Sequence, residues 1–345
     1  MDPLRHHGDV DATPGLLDFA VNVRGAAPPG WLRERLGTAL DDLARYPSAA
    51  HDAAARAAVA ARHGRRPDEV LVLAGSAEGF ALLPALRPRL AAVVHPGFTE
   101  PEAALRAAGV PVERVFTGAA DGHVLRPAAV PAAADLVVVG NPTNPTGVLH
   151  PAAALRALRS PGRVVLVDEA FADAVPGEAE SVAGEPGFLV FRSLTKTWAL
   201  AGLRAGYALG SPEVLARLAA PRPPWPVSTL ALEAVIACST PAAVAEAERA
   251  ARDLERQRAE QAAALAAVPG VTVATGRAPF LLLRLPDGRG ERVRHALRAA
   301  GIAVRRCDTF PGLGPDHLRV AVRPADAVAR LVAALTAALA DRAAA

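Results

Sequence analysis

Lysine is all but missing from this 345-residue chain. Lysine and arginine together number 38, yet Lys196 is the only lysine, so the other 37 are arginines. Cysteine is almost as scarce. Cys238 and Cys307 lie far apart and form no metal or redox spacing, which suits a reduced, cytoplasmic chain. Aromatic residues are only 4%, too few to offer a stacking surface for bases. A basic block is absent too: the pI is 9.3, but the net charge is +3 and the arginines are scattered. Nucleic acid is therefore not an expected partner. The opening MDPLRHHGDV lacks the apolar core of a signal peptide, and Pro and Arg interrupt later apolar stretches before they could span a bilayer. No membrane partner is expected. What remains is an apolar-rich composition with 21% charged residues of mixed sign, long enough for about two domains.

Residues 1–29 read as irregular, with His6, His7 and Asp9 near the start. Adjacent histidines diverge on most backbones and no second cluster completes a coordination sphere, so no metal is expected. Helices are predicted over 31–44 and 50–63, with Tyr46 on a non-helical corner before Pro47. From residue 69 apolar runs alternate with helical segments. Strands are predicted at 70–74, 91–98, 136–147 (ending in a Pro-punctuated turn), 164–171, 188–196 and 206–211, with a helix over 100–108. Such runs, separated by helices, indicate a mostly parallel sheet. Beyond the Pro-rich 221–226 segment comes a long helix over 241–268. Strands at 271–275, 280–285, 302–306 and 318–322 follow, with helices over 291–300 and 324–340. The alanine-rich tail is expected to fray. The fold class is α/β: a large domain with a mostly parallel sheet plus a smaller α+β domain. The chain divides into an arm (1–29), a large domain (30–225) and a small domain (226–345).

Several predicted strands end in polar constellations, where ligands sit in open α/β sheets. The stretch Ser193–Tyr207 holds the lone lysine. An amine can lose its proton and condense with an aldehyde; a guanidinium cannot. Ser193, Thr195 and Arg204 around Lys196 supply hydroxyls and a cation, which suits pyridoxal phosphate. The turn Gly75-Ser76-Ala77-Glu78 opens a helix and could add backbone N–H groups for the phosphate. Asp168 could hold a proton on the pyridine nitrogen, Asn144 could donate to the phenolic oxygen, and Phe98 could stack on the ring. Arg319 could take a substrate carboxylate bidentately. Each has a plainer alternative: a leftover surface lysine, a turn aspartate, a packing tyrosine at 46, a surface arginine on a strand.

NPTNPTG, VDEAF, SLTKTWALAGLRAGY and HLRVAVR, in this order, resemble the fold-type-I pyridoxal-phosphate enzymes of the aminotransferase family. Within it they are similar to the branch of threonine-phosphate decarboxylases and histidinol-phosphate aminotransferases. The resemblance spans nearly the whole chain. It implies a covalent cofactor link at Lys196, Asp168 on the ring nitrogen, Asn144 on the phenolic oxygen, Arg204 on the cofactor phosphate and Arg319 on a carboxylate. Tyr46, in RYP, matches a position that reaches the partner subunit's cofactor phosphate, implying a homodimer with shared active sites.

The opening HHGD, LDFAVNV, SLTK and VRRCDTFPGLG lean toward the cobalamin-pathway decarboxylases. Phe171 stands where the aminotransferases carry a tyrosine. In the other direction, His7 replaces a glycine and Arg24-Gly25 replaces Asn-Pro. The expected function is decarboxylation of L-threonine O-3-phosphate to 1-amino-2-propanol O-2-phosphate in cobalamin biosynthesis. A histidinol-phosphate type of transamination is the alternative, and a non-catalytic cofactor-binding scaffold a third. His6, Asn22, Arg305 and Arg306 are the candidates for a phosphorylated substrate.

Overall fold

A computed structural model describes residues 3–340. Its larger sheet has seven strands in the order Val70–Leu73, Gly206–Leu209, Leu189–Ser193, Val164–Asp168, Leu136–Gly140, Ala91–His95 and Val112–Phe116. All neighbours are parallel except Gly206–Leu209, which runs against both of its partners. The Val- and Leu-rich runs form this sheet because both of its faces are covered. Successive side chains alternate between two cores. Val137, Val139, Val165, Val167 and Val190 pack on one side with helices Ala49–His63 and Thr229–Cys238. Leu136, Val138, Leu166, Leu189 and Phe191 pack on the other with Phe80, Leu105 and Leu215.

Local signals set the helix ends. Ser48, Ser211, Ser228 and Thr240 each accept a backbone N–H three residues on, relieving an orphan donor of the first turn. Gly64, at φ +64°, ends Ala49–His63 in the left-handed region.

A second, four-stranded antiparallel sheet runs Arg305–Arg306, His317–Ala321, Phe280–Arg284, Thr272–Val273. Helices Pro241–Ala266, Gly290–Ala299 and Ala325–Ala340 close over it, burying Leu265, Leu283, Val293, Leu297, Leu331 and Leu335.

Several elements differ from the sequence reading. The run 302–306 is two strands: Ile302–Ala303 pairs in parallel with Leu17–Asp18, while Arg305–Arg306 joins the four-stranded sheet. The extended N-terminal segment supplies a partner that periodicity could not reveal. The run 271–275 shortens to Thr272–Val273, and the helix begun at 30 changes to a 3-10 turn after Thr38. Val112–Phe116 was not anticipated, because an edge strand with Glu113, Arg114 and Phe116 exposed shows no apolar run. Residues 3–29 are less irregular than expected, containing helix Gly8–Asp11 as well as Leu17–Asp18. Helices Pro212–Ala219 and Thr229–Cys238 flank the Pro-rich segment. The expected fraying of 341–345 lies outside the described residues.

Leu331 is fully buried in the second core. Leu331→Ala is expected to cost about 2–5 kcal/mol through lost transfer energy and a residual cavity, read as a lower denaturant midpoint.

Candidate active site

Parallel strands present their C-terminal ends along one edge of the large sheet, and a cleft of about 410 Å³ opens there. Ser76, Ala77, Phe98, Asn144, Asp168 and Phe171 line it from loops and strand ends, with Ser193, Thr195, Lys196 and Arg204 beside them. The opposite wall comes from the N-terminal segment and the four-stranded sheet: His6, His7, Asn22, Arg305 and Arg319.

Lys196 follows the strand Leu189–Ser193, and its carbonyl accepts Arg24 N–H at 3.0 Å. Burial, then the Arg319 and Arg204 charges, push its amine down to about 8, so a neutral nucleophile is accessible near physiological pH. Asp168 closes its strand and accepts Ala170 N–H at 3.1 Å. Burial is the main cause raising this carboxyl to about 7; the Ala170 bond opposes it and the Glu169 charge adds to it. Such a group gains from a cationic partner.

Arg319, 5% exposed, makes no ion pair among the described residues. Nη1 donates to Asn144 Oδ1 and Nη2 to the Ala20 carbonyl, each at 2.6 Å, while buried Nε has no partner. Burial pushes this guanidinium down to about 9. A buried, uncompensated cation with a free donor invites a carboxylate. The same contact orients Asn144. A guanidinium only donates, so Oδ1 must face it and Nδ2 is left for the cleft.

Ser193 Oγ and Thr195 Oγ1 are 2.7 Å apart. Gly75 has φ +79°, and a Cβ there would lie 2.8 Å from Arg204 Nη2, so glycine lets that guanidinium lie against the turn. Phe98 packs on Phe80 and His7. Phe171 meets Phe280 edge-on at 5.1 Å and offers no hydroxyl.

On the opposite wall, Arg305 donates to the His6 carbonyl at 2.6 Å and to Thr309 Oγ1 at 2.8 Å. His6 Nε2 is 3.2 Å from Asp11. Buried Asn22 keeps Oδ1 without a partner.

Gly75 does not line the cleft itself but abuts Arg204, and three further candidates are not brought to it. Glu78 is bound to Arg222 and to Ala74 N–H, so it buttresses the turn from behind. Arg306 is held bidentately by Asp308. Tyr46, 74% exposed, stacks on Trp225 at 4.2 Å, away from the chain's own cleft. Conversely, Asp11, Ala20 and Phe310 were missed. Phe310, under Arg305 at 4.8 Å, lay in the quoted VRRCDTFPGLG stretch. A backbone carbonyl such as that of Ala20 leaves no mark in a sequence.

Residues 16–335 match the family model for aminotransferase class I and II. The chain belongs to that family. It is 56% identical over 322 residues to a histidinol-phosphate aminotransferase of Mycobacterium tuberculosis, covering 93% of this chain and 87% of the relative. It is 34% identical over 334 residues to the threonine-phosphate decarboxylase of Salmonella typhimurium, covering 93% and 90%. Its fold matches that of histidinol-phosphate aminotransferase from Sinorhizobium meliloti in complex with pyridoxal-5'-phosphate, with a TM-score of 0.82 and 20% identity, covering 94% and 91%.

The chain is thus a pyridoxal-phosphate enzyme of fold type I. The residues present fit that cofactor: one amine held low, one carboxyl raised by burial, and a glycine turn against an arginine. The relatives favour transamination over the decarboxylation expected first.

The lowered amine also makes a stability prediction for the cofactor-free chain. Between about pH 8 and the ordinary lysine value of 10.5 the folded state binds fewer protons than the unfolded state. Stability therefore rises with pH through that window. Lys196→Met should remove this slope and stabilise the chain at pH 7 by about 1–3 kcal/mol, a gain that shrinks toward pH 10.5 in urea melts.

Proposed function

We propose that this chain is an aminotransferase of the histidinol-phosphate type, moving an amino group from a phosphorylated amine to a 2-oxo acid and working as a homodimer. The observation that carries it is a cleft with two separate cations for two anions: Arg319 beside Asn144, with no acid of its own among the described residues, and Arg305 across the wall, 3.7 Å from Asp11. The 56% identity to relatives of that name supports the choice.

When bound, pyridoxal phosphate supplies an electron sink for the bond broken at the substrate's Cα. The chain's own residues do the rest. Asp168 keeps a proton on the ring nitrogen, and Asn144 Nδ2 donates to the phenolic oxygen. Ser193, Thr195, Arg204 and the N–H groups of Ser76 and Ala77 hold the cofactor phosphate, and Phe98 lies against the ring. Lys196 Nζ, close to neutral, moves the proton off Cα. Arg319 takes the oxo acid's carboxylate; Arg305, His6 and Asn22 take the substrate phosphate. Exposed Tyr46 serves the cofactor phosphate of the other protomer.

Decarboxylation of L-threonine O-3-phosphate is the second reading. It is favoured by Phe171, which lacks the hydroxyl the aminotransferases use at that position, and by the 34% relative. Loaded protein should convert histidinol phosphate with 2-oxoglutarate to glutamate and release no carbon dioxide from L-threonine O-3-phosphate. The reverse pattern, followed by mass spectrometry, would establish the second reading.

Arg319→Lys separates the two anion sites. It should raise KM for 2-oxoglutarate about 10–100-fold, since an ammonium cannot replace a bidentate fork. KM for histidinol phosphate, which has no carboxylate, should stay near the native value.

A further inference from the structure

On the face of the large sheet turned away from the cleft lies a buried charge cluster that none of these roles uses. Strand alternation puts it there. Asp168 and Ser193 line the cleft, so their chain neighbours Glu169 and Arg192 face the other way. Arg192 is 1% exposed. It donates to Glu169 at 2.9 Å, to Glu178 at 2.7 Å and to Asp173. Arg62 reaches the same two outer acids, Asp173 at 2.9 Å and Glu178 at 2.5 Å. Glu169 also accepts Ser181 Oγ and Val182 N–H, both at 2.7 Å. Burial raises the Glu169 carboxyl; the Arg192 charge and the Ser181 and Val182 donors oppose that shift, and every one of these partners donates, as an ionised carboxylate needs.

Three carboxylates thus face two guanidiniums, leaving one negative charge uncompensated. Other groups packed around the cluster do not cancel it. His63, 2.9 Å from the Tyr207 hydroxyl, is kept neutral: burial and then the Arg192 and Arg62 charges push it down to about 2. Burial pushes Tyr207 up to about 12 and raises the Cys238 thiol, so both are neutral. Arg65 is paired with its own Glu69 at 2.9 Å.

The cluster also clamps the site mechanically. Asp168 registers with Phe191, Ser193 with Gly206, and Glu169 N–H donates to the Phe191 carbonyl at 2.9 Å. The Glu169–Arg192 pair therefore ties adjacent strands where they hand Asp168 and Ser193 to the cleft.

We propose that Glu169 and Arg192 are positioning residues for the cofactor, and that the surplus negative charge of their cluster helps Asp168 keep the proton on the ring nitrogen. Neither touches the cofactor; both act through their chain neighbours. The inference rests on the cofactor assignment, and not on the choice between transamination and decarboxylation.

The test uses intact protein loaded with pyridoxal phosphate carrying ¹⁵N in the ring, with the nitrogen followed by NMR as pH is raised. Glu169→Gln removes the surplus charge at nearly constant volume. The ring nitrogen should lose its proton about one pH unit earlier than in native protein, and the cofactor dissociation constant should rise about tenfold. Glu178→Gln, at the cluster's half-exposed rim, should move the same midpoint in the same direction by less. Variants that melt earlier yet titrate with the native midpoint would show a structural role only and overturn the proposal. Should Glu169→Gln fail to fold, Glu178→Gln decides by the same criterion. No uptake by the native chain would sink the cofactor assignment along with this proposal; uptake with unmoved midpoints sinks this proposal alone.

Discussion

Much of this architecture converges on one guanidinium. Arg319 rises from the middle of the four-stranded sheet, binds the Ala20 carbonyl of the N-terminal segment and Asn144 at the edge of the seven-stranded sheet. Three separate parts of the chain are thereby held on a single buried cation. A buried charge without a counter-ion is costly, and nothing among the described residues repays that cost in full. The site is therefore built around a deficit that an incoming anion relieves. Gly8 shows how tight the arrangement is, since a Cβ there would lie 2.5 Å from the Ala20 carbonyl oxygen.

The same logic runs through the rest of the cleft. Lys196 is pressed toward neutrality by burial and by the two arginines near it, while Asp168 is pressed toward protonation. The groups are displaced in opposite senses by one low-dielectric environment. In the proposed function each would meet a different partner: an aldehyde for the amine, a ring cation for the carboxyl. That the cleft's acid and its base lie at the ends of adjacent parallel strands is a consequence of sheet topology rather than of any local motif.

The positions of Lys196, Asp168 and Asn144 were legible because each lies at or near the end of an apolar run, and the parallel-sheet rule gathers such ends; Arg319, inside a strand of the antiparallel sheet, was legible only through the motif HLRVAVR. Partners were not legible. Glu78 looked available for the cleft until Arg222, 144 residues away, came to lie against it. Arg306 was lost to a neighbour only two residues on, because the strand ends there and the chain turns back. Arg192 carried no signal at all: in FLVFRSLTK it is one polar residue in a strand, and its three acids come from a loop and two 3-10 turns beyond Asp168. The edge strand Val112–Phe116 went unseen for a related reason, since half of it faces solvent.

The single lysine has one further consequence. With no second lysine, the chain carries one primary amine besides its N-terminus, and that amine is buried in the cleft. An amine-directed reagent then meets one internal target against a single competing amine, the N-terminus. Its rate of attachment reads the openness of this one cavity, without a mutation or an engineered label.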